Sequence, residues 1–317
     1  MRIAVMGAGG QGGFFGGLLA TSGQDVTLID RGEHLEAIRR DGLVLRPREG
    51  APTNVRARAT DEPRDVGRCD LVLLCVKTYD LAEALEGATP LVGPSTAIVS
   101  FQNGVDAPDE IARSFGEGRV IAGVSYAAAW VEAPGVVGYG GVTGRLILGE
   151  PYAGTGERAR GVARALRSGG VRAEVSPDIR AALWRKLVLV CATGGVMAFL
   201  RLPWGPVLDS RVGRALARGV MAEAVAVARA SGVAFPEGTA ERVFEFARTK
   251  VSRETRSSML LDLLAGRRLE LESLNGKVAR LAREHGVPAP LNNTICEALR
   301  PHAEGGRGRR GGELDSG

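Results

Sequence analysis

The sequence predicts an α/β fold in which an N-terminal doubly wound sheet is followed by an all-helical domain. Short apolar runs alternate with helical segments in the first half of the chain, which is typical of parallel strands covered on both faces. After Pro177 this strand pattern ends, and only helical periodicity follows. We therefore expect a first domain over 1–176, a second over 177–303, and a disordered Gly/Arg-rich tail over 304–317.

The first half of the chain has the element spacing of consecutive βαβ units. The expected elements are strands at 2–6, 26–29, 71–76, 97–101 and 120–124, a helix that starts near Gly13, and helices at 81–88 and 111–115. A valine- and glycine-rich run over 131–148 predicts antiparallel strands that close the sheet. A helix at 157–166 and a strand at 172–175 then complete the domain.

The second half begins at Asp178, a residue type that favours a helix N-cap. Glycine and proline separate the helical segments, which are expected at 179–199, 212–231, 239–248, 268–285 and 292–300. Proteins with two such domains commonly bind small molecules in the cleft between them.

The composition indicates a globular, cytoplasmic protein. Hydrophobic residues make up 44% and charged residues 24% of the chain, with a net charge of +5. The four cysteines form no CxxC pair and the three histidines lie in no motif, so we expect reduced thiols and no metal. The uncharged run 187–200 is too short to span a bilayer. We expect no membrane partner and no nucleic-acid partner, since a disordered terminus explains the arginines of the tail.

A G-x-G-x-x-G motif directly follows the first strand and opens a helix. Gly7 permits the tight turn, Gly9 lets the backbone approach a diphosphate, and Gly12 allows close helix–strand packing. Gly10 belongs to the same loop. The diphosphate is expected at the helix N-terminus, where free N–H groups favour an anion. The motif therefore predicts a Rossmann-type site for NAD(P).

Three further strand ends carry polar residues that suit this site. Asp30 follows the second strand and favours a ribose 2′-OH, whereas Arg31 beside it favours the 2′-phosphate of NADP. Lys77 and Asn103 follow the next two strands, at the edge where ligands bind in such sheets. A solvated loop lysine and an Asn-Gly turn are the alternative interpretations of these two residues.

The second half contains candidates for proton transfer. Lys186 begins an apolar helical segment; if its amine is desolvated there, its pKa falls toward neutrality, which suits a general acid, and a lysine on the helix surface is the alternative interpretation. Glu270 near a predicted helix start either orients a substrate or complements the helix dipole. Ser257 and Ser258 either donate hydrogen bonds to a carboxylate or begin a helix.

Taken in order, these motifs resemble the ketopantoate reductase (2-dehydropantoate 2-reductase) family from Met1 to about Arg300. The matching segments are GAGGQG at Gly7, Arg31, VKTYD around Lys77, QNGVD around Asn103, IRAALWRKL with Lys186, SSMLLD with Ser257 and Ser258, and LELESLNG with Glu270 and Asn275. The resemblance implies NADPH-dependent reduction of ketopantoate to pantoate in pantothenate biosynthesis.

The resemblance also implies roles for single residues. Lys186 would be the proton donor, Glu270 would bind substrate, and Asn103 would lie between nicotinamide and substrate. Ser258 would contact the substrate carboxylate. Arg31 would contact the 2′-phosphate, so NADP(H) is favoured over NAD(H) as the cofactor.

The sequence departs from the family where the substrate binds. Asparagines expected four and eight residues after the lysine are Val190 and Gly194 here, and others are replaced by Trp204 and Thr255. Each lost hydrogen bond to a hydroxylated substrate costs about 1 kcal/mol. A family member for a bulkier, more apolar 2-oxo or 2-hydroxy acid is therefore an alternative, as is a non-catalytic NAD(P)-binding regulator. Either a monomer or a homodimer is expected.

Overall fold

The computed structural model describes residues 1–140, 145–152 and 156–306, so most of the predicted tail lies outside the described residues. The chain divides into two compact units, Met1–Leu183 and Trp184–Gly317. The division falls within a helix rather than in a linker.

The first unit contains all the strands that the structure describes. They are β1 (Arg2–Met6), β2 (Asp25–Ile29), β3 (Leu43–Pro47), β4 (Thr53–Val55), β5 (Arg58–Thr60), β6 (Cys69–Leu74), β7 (Val92–Ser100), β8 (Val120–Ser125), β9 (Ala128–Ala133), β10 (Val136–Gly140), β11 (Arg145–Gly149) and β12 (Arg172–Val175). Its complete helices are α1 (Gly10–Thr21), α2 (Gly32–Asp41), α3 (Leu81–Ala88), α4 (Ala107–Phe115) and α5 (Glu157–Ser168). The mixed α/β class is confirmed, and α1 begins three residues before the predicted start.

The main sheet has the strand order β12-β11-β8-β7-β6-β1-β2-β5. Strands from β5 to β8 are parallel, β11 runs antiparallel to β8, and β12 is parallel to β11. Val5 and Leu73 face one apolar core, whereas Ala4 and Val72 face another. Both faces of the sheet are therefore buried, as continuous apolar strands predict. The chain order reverses at β1, and in sheets of this kind ligands bind at the carboxyl ends of the strands beside such a reversal.

The prediction that residues 131–148 close the main sheet is only partly correct. Strand β11 does join it, but β9 and β10 form a hairpin in a separate sheet of order β4-β3-β10-β9. In that sheet β10 pairs in parallel with β3, and Val137 packs on Gly13 of α1. The second sheet thus covers the face of α1 that the main sheet leaves open.

The second unit is helical. Helix α6 (Ile179–Val190) crosses from the first unit, and the chain continues through a π-helical turn (Cys191–Val196), α7 (Met197–Leu200), α8 (Trp204–Asp209), α9 (Arg211–Ala230), α10 (Thr239–Lys250), α11 (Ser258–Leu264), α12 (Asn275–His285) and α13 (Pro290–Leu299). The N-cap prediction at Asp178 is confirmed, because its carboxylate accepts the Ala181 N–H at 2.9 Å. The segment Ile179–Leu200 is long and apolar enough to cross a membrane, but most of it is buried in the structure.

Two predicted helices differ from the structure. The helix expected at 179–199 is interrupted by the π-helical turn, where two consecutive glycines disfavour regular α-helix. The helix expected at 268–285 begins only at Asn275. The preceding backbone is engaged elsewhere, since the Leu269 N–H donates to the Ala303 carbonyl at 2.8 Å.

Trp204 is a core residue of the second unit. Its side chain is 0% exposed, and its indole N–H donates to the Ala247 carbonyl at 3.0 Å. The Trp204 backbone N–H donates to the Thr255 carbonyl, also at 3.0 Å. The interpretation that Trp204 replaces a substrate-contacting residue is therefore wrong, because a fully enclosed side chain has no surface left for a ligand.

Replacing Trp204 with alanine should strongly destabilise the second unit. We expect W204A to lower the free energy of unfolding by about 3–5 kcal/mol, because a large buried side chain is lost and a cavity remains. Urea unfolding followed by circular dichroism measures this change. Trp130, which is 39% exposed on β9, provides the matched control, and W130A should cost about 1 kcal/mol or less. Equal losses in both variants would contradict the core assignment.

Candidate functional site

The glycine turn after β1 is fixed by close backbone contacts. Gly7 has φ +88°, and a Cβ there would lie 2.9 Å from Cγ1 of Val76. A Cβ on Gly12 would overlap the carbonyl oxygen of Gly7. These two positions therefore require glycine on steric grounds, as the motif predicts for the turn and for helix–strand packing.

The N-terminus of α1 has room for an anion. Gly9 is its N-cap, and no described side chain accepts a hydrogen bond there. A Cβ on Gly9 would have one neighbour, Cγ2 of Val131 at 4.0 Å, so this position is open. Gly10 is different, because a Cβ there would overlap the Ala129 carbonyl of β9. Gly10 thus lets the second sheet lie against the start of α1.

Two polar side chains that sequence reasoning did not select fix this loop. Gln11 donates to the Ala127 carbonyl at 2.9 Å and accepts from the Ser125 hydroxyl at 2.7 Å. His34 contacts the Ala8 carbonyl through Nε2 at 3.1 Å and accepts the Gly135 N–H through Nδ1 at 3.0 Å. Since Nδ1 is an acceptor, Nε2 carries the proton and donates to Ala8. The only sequence signal was the position of Gln11 inside the glycine motif.

The carboxyl end of β2 is followed by an acidic and a basic residue, Asp30 and Arg31. The Asp30 carboxylate accepts the backbone N–H of Arg31 at 2.8 Å. The Arg31 guanidinium is exposed, and its Nη1 lies 3.3 Å from Oε1 of Glu83 on α3. Sequence reasoning anticipated the two residues at this strand end but not the carboxylate from α3.

Lys77 and Asn103 lie at the same edge of the main sheet. Each follows one of the paired strands β6 and β7, in which Leu74 is in register with Ser100, and both residues are half-buried. The buried Gln102 side chain donates to the carbonyls of Leu74 and Val76, at 3.0 and 3.1 Å. This amide ties the two strand ends together, so the loops that carry Lys77 and Asn103 start from fixed points.

Lys186 lies on α6 among buried apolar residues. Leu187 and Val188 next to it are fully buried, and the lysine itself is half-buried. Desolvation lowers the pKa of the Lys186 amine to about 8. An amine with this pKa exchanges a proton near neutral pH, as general acid–base catalysis requires.

Gly194, a residue of the second unit, borders open space. The residue is buried, yet a Cβ built on it would meet nothing within 4 Å. Its neighbour Gly195 differs, because a Cβ there would overlap the side-chain oxygen of Asn275. Val190, at the end of α6, is half-buried. Because Gly194 lies in the π-helical turn, regular α-helical spacing does not place it on the same face as Lys186. The open space is therefore the better evidence that Gly194 lines a pocket.

A chain of buried amides anchors the π-helical turn. Asn275 donates to the Cys191 carbonyl at 3.1 Å and to the side-chain oxygen of Asn292 at 3.0 Å. Asn292 in turn donates to the Glu223 carboxylate at 2.8 Å. Both asparagines are fully buried, so these hydrogen bonds are strongly favoured over an unpaired state. The turn beside the open space is thereby given a defined geometry.

The predicted substrate-binding residues of the second unit lie before α12, in the case of Glu270, and at the start of α11, in the case of Ser257 and Ser258. Glu270 is 8% exposed and lies in irregular backbone five residues before the start of α12, so the helix-dipole interpretation no longer applies to it. Ser257 is the N-cap of α11, since its hydroxyl accepts the Leu260 N–H at 3.1 Å, and the same hydroxyl lies 3.5 Å from the Gly194 carbonyl. Ser258 is exposed. The helix-start interpretation is therefore correct for Ser257.

Comparisons with known proteins identify relatives of both halves. The family model described as "Ketopantoate reductase PanE/ApbA" matches residues 3–152, and "Ketopantoate reductase PanE/ApbA C terminal" matches 178–303. The 2-dehydropantoate 2-reductase of Mesorhizobium japonicum is 33% identical over 95% of this chain and 97% of its own. The PanE/ApbA family ketopantoate reductase structure from Ralstonia eutropha JMP134 has a TM-score of 0.86 and 36% identity, covering 96% of this chain and 98% of its own. A D-mandelate dehydrogenase structure has a TM-score of 0.89 at 22% identity, covering 96% and 98%, which shows the fold alone.

The shifted pKa of Lys186 can be measured directly. The chain has only four lysines, so reductive ¹³C-methylation should give few, well-separated NMR signals. We expect one signal to titrate with a midpoint near pH 8, because desolvation disfavours the charged amine. That signal should be missing from K186R. A Lys186 signal that stays unchanged up to pH 9.5 would contradict the prediction.

Proposed function

The chain belongs to the ketopantoate reductase family, and we propose that it reduces a 2-oxo acid to the 2-hydroxy acid with NADPH. Its family makes it an oxidoreductase that acts on CH–OH and C=O groups. The observation that best supports the proposed reaction is the Lys186 amine, whose pKa is lowered to about 8 in the helical unit of this fold. Proton delivery to a carbonyl oxygen requires such a group.

The first unit fits a dinucleotide. The open backbone at Gly9 and the uncapped start of α1 would hold the diphosphate, and Gly7 and Gly12 give the turn its shape. Gly10 belongs to the same loop and allows the second sheet to pack against the start of α1. Arg31 would contact a 2′-phosphate, which supports NADP(H) over NAD(H). When bound, the reduced nicotinamide supplies a hydride to the carbonyl carbon of the substrate.

The residues of the chain then supply position and a proton. Lys186 in its ammonium form donates a proton to the carbonyl oxygen, and as the neutral amine it accepts a proton in the reverse direction. Glu270, a buried carboxylate, would accept a hydrogen bond from the substrate. Ser257 or Ser258 would donate to the substrate carboxylate. Lys77 and Asn103, from the edge of the main sheet, would position the cofactor and the reacting carbonyl.

The substrate is either ketopantoate or a more apolar 2-oxo acid. The names of the relatives support ketopantoate, whose hydroxyl needs a polar partner. Val190 and the open space at Gly194 support a bulkier, apolar side chain, because these positions offer volume without a side-chain hydrogen-bond donor. We retain the apolar acid as the second candidate on this observation.

The proposed setting is the cytoplasm, with a small-molecule substrate. All four cysteines are free, as expected of reduced thiols, and the apolar segment Ile179–Leu200 is mostly buried. These features support a cytoplasmic enzyme, and we propose that it works without a membrane or nucleic-acid partner, as a monomer or a homodimer.

Removing the Lys186 amine should abolish most turnover without preventing cofactor binding. We expect K186A to lower kcat for 2-oxo acid reduction by about 10²–10⁴-fold, since this is the usual contribution of a general acid. Steady-state NADPH oxidation measures kcat, and nicotinamide fluorescence measures cofactor affinity, which should stay nearly constant. The exposed Lys250 is the matched control, and K250A should retain full activity.

The pH profile gives a second test of the same assignment. Lys186 is protonated below about pH 8, so the rate of reduction should fall above that pH. The reverse oxidation needs the neutral amine and should fall below it. Full activity in K186A, or identical pH profiles in both directions, would refute the role of Lys186. If none of the 2-oxo acids tested leads to NADPH oxidation, the result would instead support the non-catalytic regulator.

Restoring an asparagine at Gly194 should shift selectivity toward hydroxylated substrates. A Cβ at Gly194 meets nothing within 4 Å, so the new side chain starts without a clash, and one hydrogen bond of about 1 kcal/mol corresponds to roughly a fivefold gain. We expect G194N to raise kcat/KM for ketopantoate by about that factor relative to a branched 2-oxo acid without a hydroxyl. G195N is the matched control, because its side chain meets Asn275 and should destabilise the protein without this gain. An unchanged ratio in folded G194N would contradict the pocket position.

A further inference from the structure

We propose that Glu83 sets coenzyme discrimination by competing with the 2′-phosphate of NADPH for the Arg31 guanidinium. The inference rests on the proposed NAD(P)H site but not on the identity of the substrate. It names a residue outside the glycine motif and outside the strand end that carries Asp30 and Arg31.

The contact joins two elements that are distant in sequence. Arg31 follows β2 and precedes α2, whereas Glu83 lies in the first turn of α3. Their side chains form an ion pair at 3.3 Å between Nη1 and Oε1, and they are 72% and 73% exposed. Exposed pairs of this kind are weak and screened by solvent. A phosphate can therefore displace Glu83, but the displacement has a cost that only a phosphate-bearing ligand incurs.

The local charge balance makes this competition specific for NADPH. Asp30 lies next to Arg31, and its carboxylate is oriented by the Arg31 backbone N–H. Asp30, Arg31 and Glu83 together therefore carry a net charge of −1, with only Glu83 in contact with the guanidinium. A phosphate monoester adds roughly −1.5 to −2 at pH 7, whereas a ribose hydroxyl adds none. Glu83 should therefore weaken NADPH binding and leave NADH binding unchanged.

The same helix offers a matched control. Glu86 lies three residues further along α3 and is also exposed. Replacing either glutamate with glutamine removes one negative charge from α3. Only Glu83 contacts Arg31 among the ion pairs that the structure describes for this arginine. A comparison of E83Q with E86Q thus separates competition for Arg31 from a general change in charge.

The test measures binding rather than turnover. Dissociation constants for NADPH and NADH are determined by nicotinamide fluorescence at low ionic strength, for the wild type, E83Q, E86Q, R31Q and R31Q/E83Q. We expect E83Q to tighten NADPH binding by about two- to fivefold, the upper range for a weak exposed pair, with NADH unchanged. E86Q should change neither constant by more than twofold. Adding E83Q to R31Q should have no further effect, because Glu83 then has no guanidinium to occupy.

The outcomes separate this inference from the proposed function. A gain for NADPH in E83Q that persists in the R31Q background, or that E86Q reproduces, would overturn the competition. The competition would also be overturned if E83Q changed the dissociation constants of NADPH and NADH equally, or changed neither. If the wild type binds neither dinucleotide, the proposed function and this inference both fail. If the wild type binds both and their ratio is unchanged in E83Q, only this inference fails.

Discussion

Helix α1 is confined between two sheets, and the geometry of the nucleotide half depends on that confinement. A Cβ on Gly16 would lie 2.8 Å from Cδ2 of Leu28 in the main sheet. On the other side, Cβ atoms on Gly13 and Gly17 would approach Val137 and Leu45 of the second sheet to 2.7 and 2.9 Å. A larger residue at any of these positions would force the Leu28, Val137 or Leu45 side chain to shift, because protein interiors are close-packed. The glycines thus fix the helix, and with it the direction in which its N-terminal N–H groups point.

The second sheet explains how the glycine turn after β1 gains partners besides its own glycines. Strand β9 lies against the start of α1, and Gln11 links that start to the Ala127 carbonyl at 2.9 Å. His34 links the loop to the β9–β10 turn through Ala8 and Gly135. A loop supported from both sides presents its backbone in a preformed arrangement, so less order must be created when a ligand binds. Preorganisation of this kind comes from contacts between elements that are far apart in sequence.

This separation explains which features the sequence was able to predict. The β1–α1–β2 unit was predicted because turn chemistry and apolar periodicity are local signals. The second sheet was not, because β3 pairs with β10 across some ninety intervening residues and periodicity does not specify a partner. The late start of α12 follows from the Leu269–Ala303 hydrogen bond, another non-local contact. The lowered pKa of Lys186 was predicted correctly. Trp204 was wrongly assigned to the substrate pocket, because its burial in the core depends on tertiary packing that the sequence does not show.

The candidate sites of the two units differ in their physical chemistry. The first unit offers backbone N–H groups and an exposed guanidinium, which remain charged or polar at any physiological pH. The helical half instead keeps an amine partly out of water, which disfavours its ammonium form and lowers the Lys186 pKa to about 8. An arginine there would keep its charge and would be unable to release a proton. The chain has only four lysines among 41 basic residues, and a lysine rather than an arginine at this desolvated position supports the proposed proton transfer.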